Sequence, residues 1–274
     1  MTTRHDSRGF ARDSNLCHRV RKKYAFFHFR ITSRLAMNKE KFVPQQKQDP
    51  RELPAYGIAE AAHYLQIPQA TLRSWVIGRH YKAGGEKRLF TPLILPADAK
   101  RHLLSFFNLV EAHVLNALRR RHRVALVKVR SALDYLKVHF PSVHPLADRG
   151  FETDGADVFL QRYGQLITLS QEGQLAMRSV IAEHLRRVER DAAGRATKLY
   201  LFTGTPRPGA AKVVVVDPLV SFGRPVLVGT GIATAVIAQR YKAGESIAEL
   251  VDDYDRSQSE IEDAIRCEFH REAA

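Results

Sequence analysis

Apolar positions along the chain recur at helical spacing over most of its length and at alternating spacing in a few short runs, which predicts a largely helical protein with small β elements. Ile58, Ala61, Ala62 and Leu65 share one face of a predicted helix over 57–65. After a break at Gln66-Ile67-Pro68, a second helix over 69–77 turns Leu72, Trp75 and Val76 inward and leaves Gln69, Arg73 and Ser74 facing out. Pro68 suits that helix start, where a missing N–H and a fixed φ cost nothing. The run 78–90 reads as two short strands joined at Gly84-Gly85. Two longer helices follow, over 105–121 (Phe107, Val110, Val114, Leu118 inward) and 125–138 (Leu126, Val129, Leu133, Leu136 inward), and they are expected to pair antiparallel.

Farther along, β-formers on both sides of Asp154-Gly155 predict a hairpin over 151–161, with a further strand over 166–169. A helix is expected over 171–190, with Met177, Ile181, Leu185 and Val188 inward, and a returning strand over 198–203. The β-branched run 212–216 ends at Asp217-Pro218, and 222–230 reads as a second short hairpin or an extended loop. Three helices close the chain. One over 233–242 is stopped by Gly244, and Ser246 with Glu249 and Ser257 with Glu260 are capping boxes that open the other two. Val236 and Ile237, then Ile247, Leu250 and Tyr254, then Ile261, Ile265 and Phe269 supply one apolar stripe per helix.

The fold class that follows is mainly α, of α+β type. A leader and linker over 1–53 is expected to be disordered, since Lys41 to Pro54 is polar and holds Pro44, Pro50 and Pro54. A winged helix-turn-helix with its helical pair occupies 54–140, a small α+β connector 141–205, and a trihelical module 206–274.

Charge sharpens this division. Residues 1–51 carry a net +9 and 52–150 a net +8, whereas 151–205 is balanced and 206–274 is −3. A basic half attracts polyanions; an acidic end repels them and suits a basic protein surface. From Glu245 to Glu268 nine carboxylates face two arginines, so the helix-turn-helix shape of the last two helices is read as a protein-binding copy of that shape. Three readings fit the basic, aromatic run Arg19 to Arg30: a nucleic-acid arm, an acid-poor targeting peptide, or sequence ahead of a true start at Met37. The run Arg119-Arg120-Arg121-His122-Arg123 fits either a phosphate clamp or a solvated helix end favoured by the helix dipole.

In Ile58-Ala59-Glu60-Ala61-Ala62, in Thr71-Leu72-Arg73-Ser74-Trp75 and in the basic hairpin after them, the chain resembles the MerR and excisionase-like helix-turn-helix families. The resemblance implies that Gln69, Thr71, Arg73 and Ser74 meet operator DNA in the major groove while Arg79, Lys82, Lys87 and Arg88 grip flanking phosphates, and it implies a homodimer. Gln66 stands where that family commonly has glycine in the turn.

A second resemblance lies in Asp217-Pro218, Phe222-Gly223-Arg224-Pro225, Val228-Gly229-Thr230, Gly244-Glu245-Ser246 and the run from Ser257 to Ile265. These are similar to a widespread prokaryotic domain of unknown function found in VapB-type antitoxins paired with PIN-like ribonuclease toxins. The resemblance implies an antitoxin that represses its own operon and neutralises such a toxin from the neighbouring gene, through Phe222, Arg224, Thr230, Tyr241 and Tyr254. Gly231 departs from the family, which usually reads Gly-Thr-Arg, and Arg224 is the nearest substitute for that arginine.

Catalytic patterns are missing. The histidines lack His-Glu-x-x-His spacing, there is no Walker loop, and Gly223 to Gly231 lacks the strand-loop-helix context of a dinucleotide site. Asp252, Asp253 and Asp255 point in different directions on a helix and read as a solvated face. Neither enzyme activity, a metal nor a cofactor is expected. Two cysteines without metal-ligand spacing and the lack of any long apolar stretch fit a cytoplasmic protein that does not enter a membrane. The alternative is a stand-alone MerR-like regulator whose C-terminal region senses a ligand or protein.

Overall fold

The computed structural model describes residues 48–269 except 84, 121–125, 168–169 and 208. The readings of the leader before residue 48, and of Arg121-His122-Arg123, fall outside the described residues. So do the side chains of Arg119, Arg120, Lys82, Lys87 and Arg88. The fold is mainly helical with two small sheets, and one hydrophobic core runs from Tyr56 to Cys267.

The chain opens with a helix-turn-helix of α1 (Ile58–Tyr64) and α2 (Gln69–Val76). Ala61 and Ala62 are small enough to let the two helices close up, and Leu72, Trp75 and Val76 fill the space beneath them. Gln66, in the turn, adopts φ 53°, the left-handed conformation for which glycine is the usual choice. Its side chain compensates by donating from Nε2 to the Phe202 carbonyl at 2.8 Å. Next comes the antiparallel hairpin of β1 (Arg79–Ala83) and β2 (Glu86–Phe90), a sheet of its own.

The helices α3 (Phe106–Arg120) and α4 (Leu126–His139) form as expected, but each has its main partner elsewhere. α3 packs on α6 (Gln171–Leu185) and α4 on α5 (Ala156–Ile167), so the expected antiparallel pair is replaced by a four-helix arrangement. The hairpin expected over 151–161 is helical: a π turn at Phe151–Gly155 runs directly into α5. Phe159, Leu160 and Tyr163 recur at helical spacing and are all buried, and that packing overrides their β propensity. Gly155 serves close approach rather than a hairpin turn, because a Cβ there would lie 2.9 Å from the Gly150 carbonyl oxygen. The strand expected over 166–169 is likewise displaced at Leu166 and Ile167, which end α5; 168–169 are outside the described residues.

The helix expected to reach residue 190 stops at Leu185, and Val188–Arg190 forms strand β3 instead. β3, β4 (Ala196–Tyr200), β5 (Val214–Val216) and β6 (Val226–Leu227) make one antiparallel sheet in that order. That sheet crosses position 205, so the connector and the C-terminal module share a ladder. Arg187, only 3% exposed, locks the crossing. Its guanidinium stacks on Phe202 and donates to the carbonyls of Leu201, Ala210 and Ala211, with no carboxylate among these partners. Burial pulls its pKa below that of a free arginine.

After β6 come α7 (Thr234–Lys242), α8 (Ile247–Tyr254) and α9 (Gln258–Glu268), and both expected capping boxes are present. Ser246 and Ser257 each accept from the backbone N–H three residues on, while Glu249 and Glu260 reach back. Ile237, Leu250 and Ile261 are buried as expected; Val236 and Phe269 are exposed.

The C-terminal module does not stand apart. α9 packs against α1 as well as against α7 and α8. At the N-terminal edge, residues 48–53 are held rather than free: Arg51 binds Asp49 and Asp191, at 2.8 Å to the latter, and Arg195 reaches Asp49. The guanidinium of Arg51 keeps the Asp49 carboxyl below its ordinary range.

Candidate DNA and partner surfaces

The predicted DNA-reading residues lie on the free side of α2. Leu72 and Trp75 are fully buried, which turns Gln69 and Arg73 to solvent. Thr71 and Ser74 are half-buried, and the Ser74 hydroxyl donates to the Thr71 carbonyl at 2.7 Å, so Ser74 faces its own helix. Arg79 is exposed at the start of β1, opposite Phe90. Lys82 and Lys87 are cross-strand partners next to the turn, and Arg88 stands opposite Tyr81.

A second exposed feature comes from the segment that joins β5 to β6. Ser221, Phe222 and Gly223 adopt φ values of 48°, 56° and 76° in succession. For the first two, the left-handed conformation costs on the order of 1–3 kcal/mol each and persists only where the surroundings impose it. Here they do. Asp217 accepts from the amides of Leu219 and Val220, Gly223 N–H donates to the Val220 carbonyl, and the Ser221 hydroxyl reaches the Gly231 carbonyl. From the other side, the Tyr56 hydroxyl donates to the Gly223 carbonyl at 3.0 Å. The strained turn holds Phe222 almost wholly in water, 95% exposed, with Leu219 three residues earlier 79% exposed. A large apolar ring presented this way has no role in the core.

The other predicted partner residues are placed differently. Arg224 is exposed next to Phe222. Thr230 is half-buried and uses its hydroxyl within its own turn, donating to the Leu227 carbonyl and accepting from Ile232 N–H. Tyr241 packs edge-on against Phe269, and Tyr254 lies under the Arg240 guanidinium. Phe222 and Arg224 thus lie on the connection before β6 and Thr230 in the turn after it, the two joined by the Ser221–Gly231 bond, while Tyr241 and Tyr254 belong to the helical bundle. Sequence reasoning missed Tyr56, which ties this loop to the helix-turn-helix; its place just ahead of α1 offered no signal. Among the described residues, no cluster of His, Cys, Asp and Glu is placed to hold a metal ion, and no helix is long and apolar enough to cross a membrane.

These features define a helix-turn-helix protein with a helical C-terminal module seated against its first helix. A family model described as "Putative DNA-binding HTH domain" matches residues 54–133, and one described as "Protein of unknown function (DUF433)" matches 214–266. "Putative antitoxin VapB45" of Mycobacterium tuberculosis (strain ATCC 25618 / H37Rv) is 30% identical over 230 residues, covering 78% of this chain and 93% of the relative. The chain belongs to the family of that antitoxin. "Uncharacterized protein Rv2308" of the same organism is 27% identical over 221 residues, covering 77% of this chain and 88% of the relative. The crystal structure of Rv2018 from Mycobacterium tuberculosis superposes with a TM-score of 0.57 at 27% identity, covering 78% of this chain and 98% of that one.

Proposed function

We propose that the protein is the DNA-binding antitoxin of a type II toxin-antitoxin pair, acting in the cytoplasm as a homodimer without catalysis or cofactor. It represses its own operon and neutralises a PIN-like ribonuclease toxin. One observation carries this reading: with α9 seated on α1, the free face of α2 and the Phe222 turn are both left open to solvent. Gln69 and Arg73 reach base edges, with half-buried Thr71 and Ser74 beside them on the same helix, and Arg79, Lys82, Lys87 and Arg88 meet phosphates. Phe222 and Arg224, with Thr230 in the turn after β6, face the toxin, and Tyr241 and Tyr254 add contacts from the helical bundle. Arg224, exposed beside an apolar anchor, suits the carboxylate-rich centre of a metal-dependent nuclease.

Co-expression with the product of the neighbouring reading frame tests it. Growth rescue and a stable complex, both weakened by Phe222→Ala or Arg224→Ala, are expected; a neighbour that neither binds nor poisons growth overturns the toxin half. On DNA from its own promoter, Arg73→Ala is expected to cost on the order of 1–3 kcal/mol and to relax sequence preference. Unchanged affinity removes Arg73 from the interface. Promoter binding that requires an added small molecule favours the stand-alone regulator.

A further inference from the structure

Basic side chains held rigidly beside a recognition helix are placed to meet the phosphate backbone while that helix reads base edges. Among the described residues, the basic hairpin β1–β2 is a two-stranded sheet of its own. The chain ahead of α1 pairs instead with a later segment. Tyr56 and Leu104 form an antiparallel bridge, Leu104 N–H donating to the Tyr56 carbonyl at 2.8 Å, and Asp98 and Leu103 close a second bridge directly behind it.

The turn so formed is small and rigid. The Asp98 carboxylate accepts from the amides of Lys100 at 2.9 Å and Arg101 at 3.0 Å, and His102 takes the left-handed conformation at φ 56°. Buried Asn108 braces the base, accepting from Ala97 and Ser105 N–H and donating to the Leu95 carbonyl. Upstream, Leu93 and Ile94 N–H both donate to the Trp75 carbonyl, so the same segment is fastened to the recognition helix. The turn is therefore tied to Tyr56 just ahead of α1 and, through Leu93 and Ile94, to the end of α2.

Its tip is cationic and open. Lys100, Arg101 and His102 are exposed, the Arg101 side chain to 80%. Asp98 holds two backbone amides with Oδ1, while its Oδ2 stands 4.0 Å from Arg101 Nε, beyond hydrogen-bond distance. Glu60 is occupied by Gly57 N–H and the Tyr64 hydroxyl.

We propose that the Asp98–Leu103 turn is a second wing, whose Lys100 and Arg101 bind the phosphodiester backbone of duplex DNA flanking the site read by α2. This rests on the DNA-binding reading above and adds to it a surface that no motif in the sequence marks. Salt dependence measures it. The full-length protein is titrated against a labelled random-sequence duplex of about 30 base pairs at several salt concentrations between about 50 and 200 mM.

The double variant Lys100→Gln with Arg101→Gln is expected to lower the slope of log affinity against log salt by roughly 0.9 for each phosphate that is no longer neutralised, with affinity near 0.1 M salt falling on the order of tenfold. The charge-preserving pair Lys100→Arg with Arg101→Lys keeps the parental slope. Circular dichroism of each variant checks the fold, which exposed positions should leave intact. A parental slope in the Gln double variant, while Arg79→Gln lowers it, overturns the second wing and leaves the DNA reading standing. A parent protein that binds the duplex without salt dependence overturns both.

Discussion

A methyl group at position 223 has nowhere to go. A Cβ on Gly223 would lie 2.3 Å from the Tyr56 hydroxyl oxygen, at a φ of 76° that side chains rarely adopt. Gly223→Ala is expected to destabilise by about 2 kcal/mol or more, through clash and backbone strain together. Tyr56→Phe removes the clashing oxygen but also the bond to the Gly223 carbonyl, at a cost of about 1–2 kcal/mol. The double variant should lose less than the sum of the two, a coupling read from urea midpoints; strict additivity would show that the loop and the helix-turn-helix do not meet there. His144 supplies a pH signature of the opposite kind. Burial pulls its pKa down, but the bond to Glu111 at 3.1 Å and that carboxylate's charge outweigh burial and raise it above the ordinary 6.5. A folded-state pKa above the unfolded one stabilises fully below about 6.5 and loses that contribution as pH rises through the raised value. His144→Gln should flatten this fall in stability between acid and mildly basic pH, and an unchanged pH profile would exclude the pair as its source.

Among the elements, those with local punctuation were legible from residue order alone. The boxes Ser246 with Glu249 and Ser257 with Glu260 satisfy amides that a helix start otherwise leaves unpaired, and Pro68 ahead of α2 brings a φ already fixed for a helix start, so the chain signals its own boundaries. Ser246→Ala and Ser257→Ala should each cost about 1 kcal/mol, measured by thermal or urea unfolding, with Ser→Gly costing only a few tenths. Elements without such marks were misread. Nothing local ends a helix at Leu185; Val188 leaves the helical path because Leu199 offers it a strand partner. Phe151 to Gln161 carries β-forming residues, yet packing on α4 makes helix the better solution. The same holds for the candidate site. Arg73 faces out by helical period, but the strain at Ser221 and Phe222 is imposed by Asp217, Gly231 and Tyr56, which converge only in space.

At the level of the whole molecule, the C-terminal module depends on the rest of the chain. β5 pairs with β4, α9 packs on α1, and Arg187 clamps the carbonyls of Ala210 and Ala211. A fragment of 206–274 is therefore expected to lack a cooperative unfolding transition, whereas the chain from residue 48 onward should unfold as one unit; a well-dispersed NMR spectrum from the isolated fragment would contradict this. Helical periodicity, capping residues and the split between a basic and an acidic end depend on neighbours within a few positions or on composition, and they were enough to reveal a helix-turn-helix at one end and three short helices at the other. Which helix packs on which, the sheet that crosses residue 205, the left-handed Gln66 anchored to Phe202 and the turn that exposes Phe222 all depend on contacts between residues far apart in the chain. Those contacts carry no local signature, because any of several apolar faces would have satisfied each stripe, and only simultaneous packing selects among them.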